Sequence, residues 1–169
     1  MTIVHGASEA SRPVLVGIDD SAAAAGALRF AAAEAALRGS SLTVIHVWRE
    51  IKHWNLPLGW PDGVDPGSFL LRRLSERVAD LKAERAEAGE EPVPISVEVV
   101  EGDPARELLA TARGAGLLVL GAHDRHGASA VIGSVCHACA ADPPCPVAIV
   151  PASYTQCSVR MQMSAVAGT

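Results

Sequence analysis

The sequence predicts an α/β fold, a three-layer, doubly wound sheet of five parallel strands with helices on both faces. Three observations support this prediction. Five short apolar runs of strand length occur along the chain, helix-forming segments alternate with them, and a glycine-containing stretch follows the fourth run. Strands that alternate with helices form parallel sheets, because each crossover returns the chain to the same end of the sheet.

The five apolar runs are the predicted strands. Pro13–Ile18 is apolar without interruption, which is typical of a strand buried on both faces. Leu42–Trp48 is the second run, and Ile95–Val100 is an alternating third. Leu117–Leu120 and Val147–Val150 are short apolar runs that complete the set.

Four segments between the strands have helical signals. The first is rich in alanine and follows Ser21, whose hydroxyl suits an N-cap. The second has leucines at helical spacing. Its arginines and the charged residues of 84–91 are predicted to form its solvated face. Asp103 and Pro104 predict the cap and first position of the third. The predicted helices are residues 22–38, 67–88, 104–114 and 132–141, and residues 50–66 are predicted to be an irregular but packed loop.

Length and charge limit the domain organisation and the classes of partner. The 169 residues suffice for one domain, predicted at residues 13–151, with a flexible leader at 1–12 and an unassigned tail at 152–169. The net charge of −5 argues against nucleic acid and anionic membranes as partners. No apolar run approaches the roughly 20 residues of a spanning helix. The amino-terminal residues do not resemble a signal peptide, so we expect a cytoplasmic protein.

The stretch from Gly121 to Val135 is the candidate functional segment. It joins a predicted strand to a predicted helix, and glycines there allow a backbone to approach an anion that helix N–H groups can bind. Ligands of doubly wound sheets lie at the carboxyl ends of the strands. Asp19 follows the first strand and Gly121 follows the fourth, so we expect both to face one crevice.

The cysteines allow two interpretations. Cys136 and Cys139 are either a redox pair near a helix N-terminus or two buried residues on one helical face, and the second interpretation is favoured. A zinc set that adds His123 and His126 is disfavoured, because both histidines lie on the candidate phosphate loop. No metal site and no catalytic residue is therefore predicted.

Six motifs occur in one order along the chain: Val16–Ser21, Val44–Trp48, Val100–Ala105, Leu117–Gly121, Gly133–Val135 and Cys145–Pro151. In this order they resemble the universal stress protein family over about residues 12–151. The resemblance implies strand order 3-2-1-4-5, as in folds of the adenine nucleotide alpha hydrolase type. It also implies a homodimer that pairs through residues 147–150, together with an unidentified protein partner.

Many family members bind ATP through Gly-x-x-Gly-x9-Gly-Ser/Thr. Gly121 matches the first glycine, and Gly133 and Ser134, followed by Val135, match the final pair. The resemblance also implies Asp19 and Leu42 as the residues that hold the adenosine part, and Gly17 is a further predicted nucleotide-binding residue. It implies binding rather than strong catalysis, with at most weak ATP hydrolysis.

Asp124 occupies the position of the second glycine, and the segment between it and Gly133 is one residue short. A carboxylate there repels a triphosphate unless Mg²⁺ or Mn²⁺ bridges them, although His123, Arg125 and His126 partly offset the charge and Gly127 restores some flexibility. Two functions follow. The chain is either an adenine-nucleotide-binding stress sensor that prefers adenosine or a short phosphate chain over ATP, or a degenerate interaction module that binds no nucleotide.

Overall fold

The computed structural model of the chain describes residues 11–19, 21, 23–49, 63–124 and 130–154. Predictions for the other residues, including most of the 50–66 loop, Arg125, His126 and Gly127, lie outside this part of the chain. The elements, in chain order, are β1 (Val14–Gly17), α1 (Ala23–Leu37), β2 (Leu42–Trp48), α2 (Pro66–Glu87), β3 (Ile95–Glu101), α3 (Pro104–Ala112), β4 (Leu117–Asp124), β5 (Ala130–Val131), α4 (Ser134–Ala141) and β6 (Val147–Pro151).

The parallel sheet has the order β3-β2-β1-β4-β6, which confirms the predicted fold and the predicted strand order 3-2-1-4-5. β1 is central and pairs with β2 on one side and β4 on the other. The crossover between the two halves of the chain therefore leaves the carboxyl ends of β1 and β4 side by side, and ligands of such folds bind at that place.

Helices cover both faces of the sheet. α1 and α2 pack against the face that includes Val14 and Val16, whereas α3 and α4 pack against the face that includes Leu15 and Ile45. The continuous apolar sequence of β1 follows from this arrangement, because successive residues point into two different cores. No helix among the described residues is sufficiently long and apolar to span a bilayer.

The long helix α2 begins at a side-chain cap, where Asp65 accepts a hydrogen bond from the Ser68 N–H at 3.0 Å. The prediction that residues 84–91 cover a solvated face is wrong at Arg85, whereas Glu84 is exposed as predicted. Arg85 is 8% exposed, pairs with Glu90 and donates to the Glu91 carbonyl at 3.0 Å. Glu84 accepts from Arg29 of α1, so this charge joins two helices.

The candidate phosphate loop contains more regular structure than the sequence predicts. β4 does not end at Leu120 but continues to Asp124, and its last two residues pair antiparallel with β5, His123 with Val131 and Asp124 with Ala130. Asp124 is therefore a strand residue and does not occupy the left-handed conformation that a glycine would favour. α4 begins at Ser134, two residues later than predicted.

The chain after β6 folds back onto α1. The Tyr154 N–H donates to the Pro151 carbonyl at 3.0 Å, and its ring makes an edge-to-face contact with Phe30 at 5.6 Å between centroids. The first residues of the predicted tail thus pack on the domain.

Candidate functional site

A cavity of about 530 Å³ opens at the carboxyl ends of β1, β2 and β4, between α3 and α4. Its volume lies in the range of small-molecule sites, and its position is the usual ligand position in a doubly wound sheet. We call it the crevice. Its lining residues are Gly17, Ile18, Asp19, Ala24, Ile45, Val47, Pro104, Leu108, Leu120, Gly121, Ile132, Gly133, Ser134, Val135 and Cys136.

Asp19 lines the crevice at the turn between β1 and α1. One carboxylate oxygen, Oδ1, accepts a hydrogen bond from the Ser21 N–H at 2.9 Å, which is the local turn that an aspartate in this position favours. The Asp19 carbonyl accepts from Nη1 of Arg77 at 2.9 Å. Asp19 is therefore both a turn residue and a wall of the crevice, and the two interpretations are compatible.

Gly17 and Gly121 border the crevice, but packing alone explains the lack of a side chain at both positions. A Cβ at Gly17 would lie 2.7 Å from Cδ2 of Leu108. A Cβ at Gly121 would lie 2.9 Å from the Cβ of Ala23 and 3.2 Å from its backbone. Both distances are shorter than ordinary contacts between carbon atoms.

Gly133 differs from the other two glycines. It is the N-cap of α4, with the ordinary dihedrals φ −64° and ψ 164°, and no side chain caps the helix. A Cβ at this position would meet no atom within 4 Å. Neither the backbone conformation nor packing among the described residues requires a glycine here, and Gly133 itself lines the crevice.

The first turn of α4 forms one wall of the crevice through Ser134, Val135 and Cys136. In the first backbone hydrogen bond of the helix, the His137 N–H donates to the carbonyl of the N-cap residue, Gly133, at 2.9 Å. The preceding N–H groups have no acceptor within the helix, and the helix dipole makes this end positive. The arrangement suits an anionic group of a ligand.

The two cysteines of α4 are buried, as the favoured interpretation predicts. Burial raises the pKa of the Cys136 thiol, the nearby Asp19 charge raises it further, and its Sγ donates to the Gly121 carbonyl at 3.4 Å. Burial likewise raises the pKa of Cys139, to about 11. Thiols with raised pKa values remain protonated at neutral pH, so the structure argues against the redox interpretation.

The structure does not bring Leu42 to the crevice. Leu42 is the first residue of β2, is fully buried, and pairs with Val14 and Ile95 at the amino ends of the strands. Five residues of extended chain, about 16 Å, separate it from Val47 at the crevice end. β2 contributes Ile45 and Val47 instead, and the sequence could have indicated this, because ligands approach parallel strands from their carboxyl ends.

The remaining predicted residues fall into two groups. Gly121, Gly133, Ser134 and Val135 line the crevice with Gly17 and Asp19. Only the backbone of His123 is described, in β4, and Arg125 and Gly127 lie outside the described residues. The sequence analysis missed Pro104 and Leu108 of α3, and Cys136 of α4, which line the crevice because both helices begin at this edge of the sheet.

The lining is mainly apolar. Asp19 is its one charged member among the residues that the structure describes, and no lysine or arginine is present in that set. The described residues also contain no group of three or more His, Cys, Asp or Glu side chains that could hold a metal ion. The crevice therefore suits a ligand with a large apolar body and a small anionic group.

Comparison of the sequence with known proteins identifies one family. A sequence model described as the universal stress protein family matches residues 10–151. A universal stress protein of Mycolicibacterium smegmatis is 34% identical over 161 residues, covering 89% of this chain and 50% of the relative. This chain thus spans about half the length of that relative.

Solved structures have the same fold. A universal stress protein in complex with cAMP is 25% identical, with a TM-score of 0.59 over 85% of this chain and 99% of that chain. A universal stress protein from Archaeoglobus fulgidus is 21% identical, with a TM-score of 0.60 over 83% of this chain and 94% of that chain. The second likeness concerns the fold alone.

Proposed function

This chain belongs to the universal stress protein family, and we propose that it binds an adenine nucleotide in the crevice and acts as a stress-response sensor or regulator. The observation that carries the proposal is the uncapped amino end of α4 at Gly133, where a Cβ would meet no atom within 4 Å. A ligand that approaches this backbone closely gives a physical reason for a glycine there.

The proposed ligand lies with its base against the apolar wall of Ile45, Val47 and Leu108 and its phosphate at the first turn of α4. Asp19 also lines the crevice, where a carboxylate oxygen can accept a hydrogen bond from a ribose hydroxyl. The solved relative that contains cAMP supports a ligand of this chemical class.

The preferred phosphate chain is short. A triphosphate carries several negative charges, and the described lining offers it the α4 amino end but no cationic side chain. The backbone groups of β4 and β5 pair with each other, which leaves fewer of them for phosphate oxygens. We expect AMP to bind at least as tightly as ATP, and Mg²⁺ or Mn²⁺ to help ATP more than AMP by bridging its phosphates.

Calorimetric titration with AMP, ADP and ATP, each with and without Mg²⁺ or Mn²⁺, tests the proposal. The expected result is one site per chain, filled by AMP, with a rise in melting temperature because the ligand binds only the folded protein. No heat and no thermal shift at millimolar nucleotide would reject it, and clearly tighter binding of ATP would reject the preference for a short chain.

A second candidate function is an interaction module that binds no nucleotide. The pairing of His123 and Asp124 with β5 supports it, since this hairpin occupies part of the loop that holds phosphate in ATP-binding members. Asp124→Gly distinguishes the two functions. A gain of ATP binding in the variant, with none in the parent, supports the degenerate module, whereas tight binding by the parent rejects it.

As a regulator, the protein would act by coupling nucleotide binding to the order of residues 121–134, which changes the surface offered to a protein partner. We also propose a homodimer formed through β6 and a cytoplasmic location. Free thiols at Cys136, Cys139 and Cys145 are typical of a reducing compartment. Cell fractionation with antibody detection tests the location, and recovery in the membrane pellet would contradict it.

A further inference from the structure

A side chain on the opposite face of the sheet from α3 and α4 reaches the turn that carries Asp19. Arg77 belongs to α2, and its Nη1 donates to the Asp19 backbone carbonyl at 2.9 Å across 58 positions of sequence. The helix is a fixed base for this contact, since Leu74, Val78 and Leu81 anchor it to the sheet and are each 4% exposed.

The turn is held at two successive residues from different directions. The Ile18 N–H donates to the Ile45 carbonyl of β2 at 3.0 Å, and the Asp19 carbonyl accepts from Arg77. Because the peptide unit is planar, a bond at the Asp19 carbonyl restricts rotation about the Cα–C bond of Asp19. The two anchors bracket the Cα of Asp19 and so limit the directions that its side chain can take.

The turn also separates two cavities. Ile18 and Ala24 line the crevice on one side, and on the other they line a groove of about 270 Å³ between α1 and α2 that includes Arg77. A substitution in the groove can therefore displace the crevice wall directly, because the two cavities share Ile18 and Ala24.

We propose that Arg77 is a positioning residue for the nucleotide site, which holds the turn after β1 so that Asp19 faces the ligand. The proposal rests on the proposed function, since it names how that site is held in its binding geometry. Arg77 itself does not line the crevice, so it acts on the ligand through the turn that carries Asp19.

The groove also supplies a matched control. Arg29 of α1 donates through Nε to Oε2 of Glu84 at 3.0 Å and lines the same groove, but it does not line the crevice. Each arginine is a charged donor in a contact with α2: Arg77 joins α2 to the turn, and Arg29 joins α1 to α2. Arg29→Met thus removes a comparable contact without releasing Asp19.

The experiment compares Arg77→Met, Arg77→Lys and Arg29→Met with the parent by calorimetric titration with AMP and by hydrogen exchange of the Ser21 amide. Loss of a hydrogen bond from a charged donor predicts AMP binding weaker by about tenfold in Arg77→Met, with a smaller loss in Arg77→Lys. Arg29→Met should bind as the parent does. The Ser21 amide, which is bonded to Asp19, should exchange faster in Arg77→Met alone.

Each outcome decides the matter. Parent-like AMP binding by a folded Arg77→Met protein overturns the proposal, and so does an equal loss in Arg29→Met. If the parent binds no AMP, the proposed function fails, and the exchange of the Ser21 amide decides alone: faster exchange in Arg77→Met supports the positioning role and unchanged exchange overturns it. If Arg77→Met does not fold, Arg77→Lys provides the same comparison, and parent-like values for both measurements overturn the proposal.

Discussion

Three glycines border the crevice, and a methyl group added at each would have a different effect. At Gly17 and Gly121 it would collide with Leu108 or Ala23, whereas at Gly133 it would enter open space. The first two residues are therefore explained by the packing of the free protein. Packing does not explain the third, and the proposed ligand supplies a reason for it, so substitutions at single residues can separate stability from binding.

Gly121→Ala is expected to destabilise the protein by about 1–3 kcal/mol, the usual cost of overpacking. The added Cβ would lie 2.9 Å from the Cβ of Ala23 and 3.2 Å from backbone atoms, which yield less readily than a side-chain end. Gly114→Ala is the matched control, because its Cβ would meet no atom within 4 Å. Urea denaturation measures both, and equal unfolding free energies for the two variants would contradict the packing explanation.

The Cys139 thiol should make the free energy of unfolding fall with rising pH in the alkaline range. Burial raises its pKa from the ordinary value of 9.0 to about 11, so between these values the unfolded chain has lost a proton that the folded protein keeps. Its stabilising contribution is complete below pH 9 and declines as pH rises toward 11. Chemical denaturation across this range should show a shallower decline for Cys139→Ala than for the parent, and parallel declines would be evidence against the raised pKa.

At the level of elements, α3 and α4 place the crevice walls because both begin at the same edge of the sheet. Asp103 caps α3 by accepting a hydrogen bond from the Arg106 N–H at 3.1 Å, and the next residue, Pro104, lines the crevice. α4 begins at Ser134, and its N-cap, Gly133, provides no side-chain cap. The two helix ends therefore differ, since a side chain caps α3 and none caps α4.

Asp103→Ala is expected to cost about 0.5–2 kcal/mol of unfolding free energy, the usual loss for an N-cap. Asp103→Asn should retain most of this stability, because asparagine caps helices about as well. The Arg49 contact to Asp103, at 3.6 Å between exposed side chains, adds little. Thermal unfolding distinguishes the explanations, since equal losses in both variants would indicate that the charge, and not the cap, stabilises this site.

The sequence predicted the elements that depend on local chemistry and periodicity. Examples are the sequence Asp103–Pro104 at the start of α3 and the leucines of α2. Both indicate a helix from neighbouring residues alone, without any long-range contact. The β4–β5 pairing was missed because β5 has only two residues, Ala130 and Val131, and they pair with the polar His123 and Asp124 across the candidate loop, so no local pattern indicates a strand. Leu42 was misplaced because a motif position was used without regard to strand direction.

At the level of the whole molecule, β6 is the outer strand of the parallel sheet, and among the described residues only β4 pairs with it. The Leu118 N–H donates to the Pro146 carbonyl, so the polar groups of residues 146, 148 and 150 face β4 and those of 147 and 149 face outward. An apolar strand with an unpaired edge is a template for a second copy, which supports the proposed dimer.

Ile149→Pro removes an outward N–H while leaving the pairing with β4 in place, so it should convert a dimer to a monomer. Ile149→Val is the control, since it retains the N–H and most of the apolar volume. Light scattering at micromolar concentration measures both. A monomeric parent, or a dimeric Ile149→Pro protein, would contradict pairing through this edge.

The most direct test of nucleotide binding at the end of α4 is the dissociation constant of AMP for Gly133→Ala, measured by calorimetry beside the parent and Gly114→Ala. Neither substitution meets a protein atom within 4 Å, so both variants should be as stable as the parent. We expect AMP binding to be weaker by about tenfold or more in Gly133→Ala alone, since the methyl group takes space that the phosphate needs. Parent-like AMP binding by Gly133→Ala would contradict it.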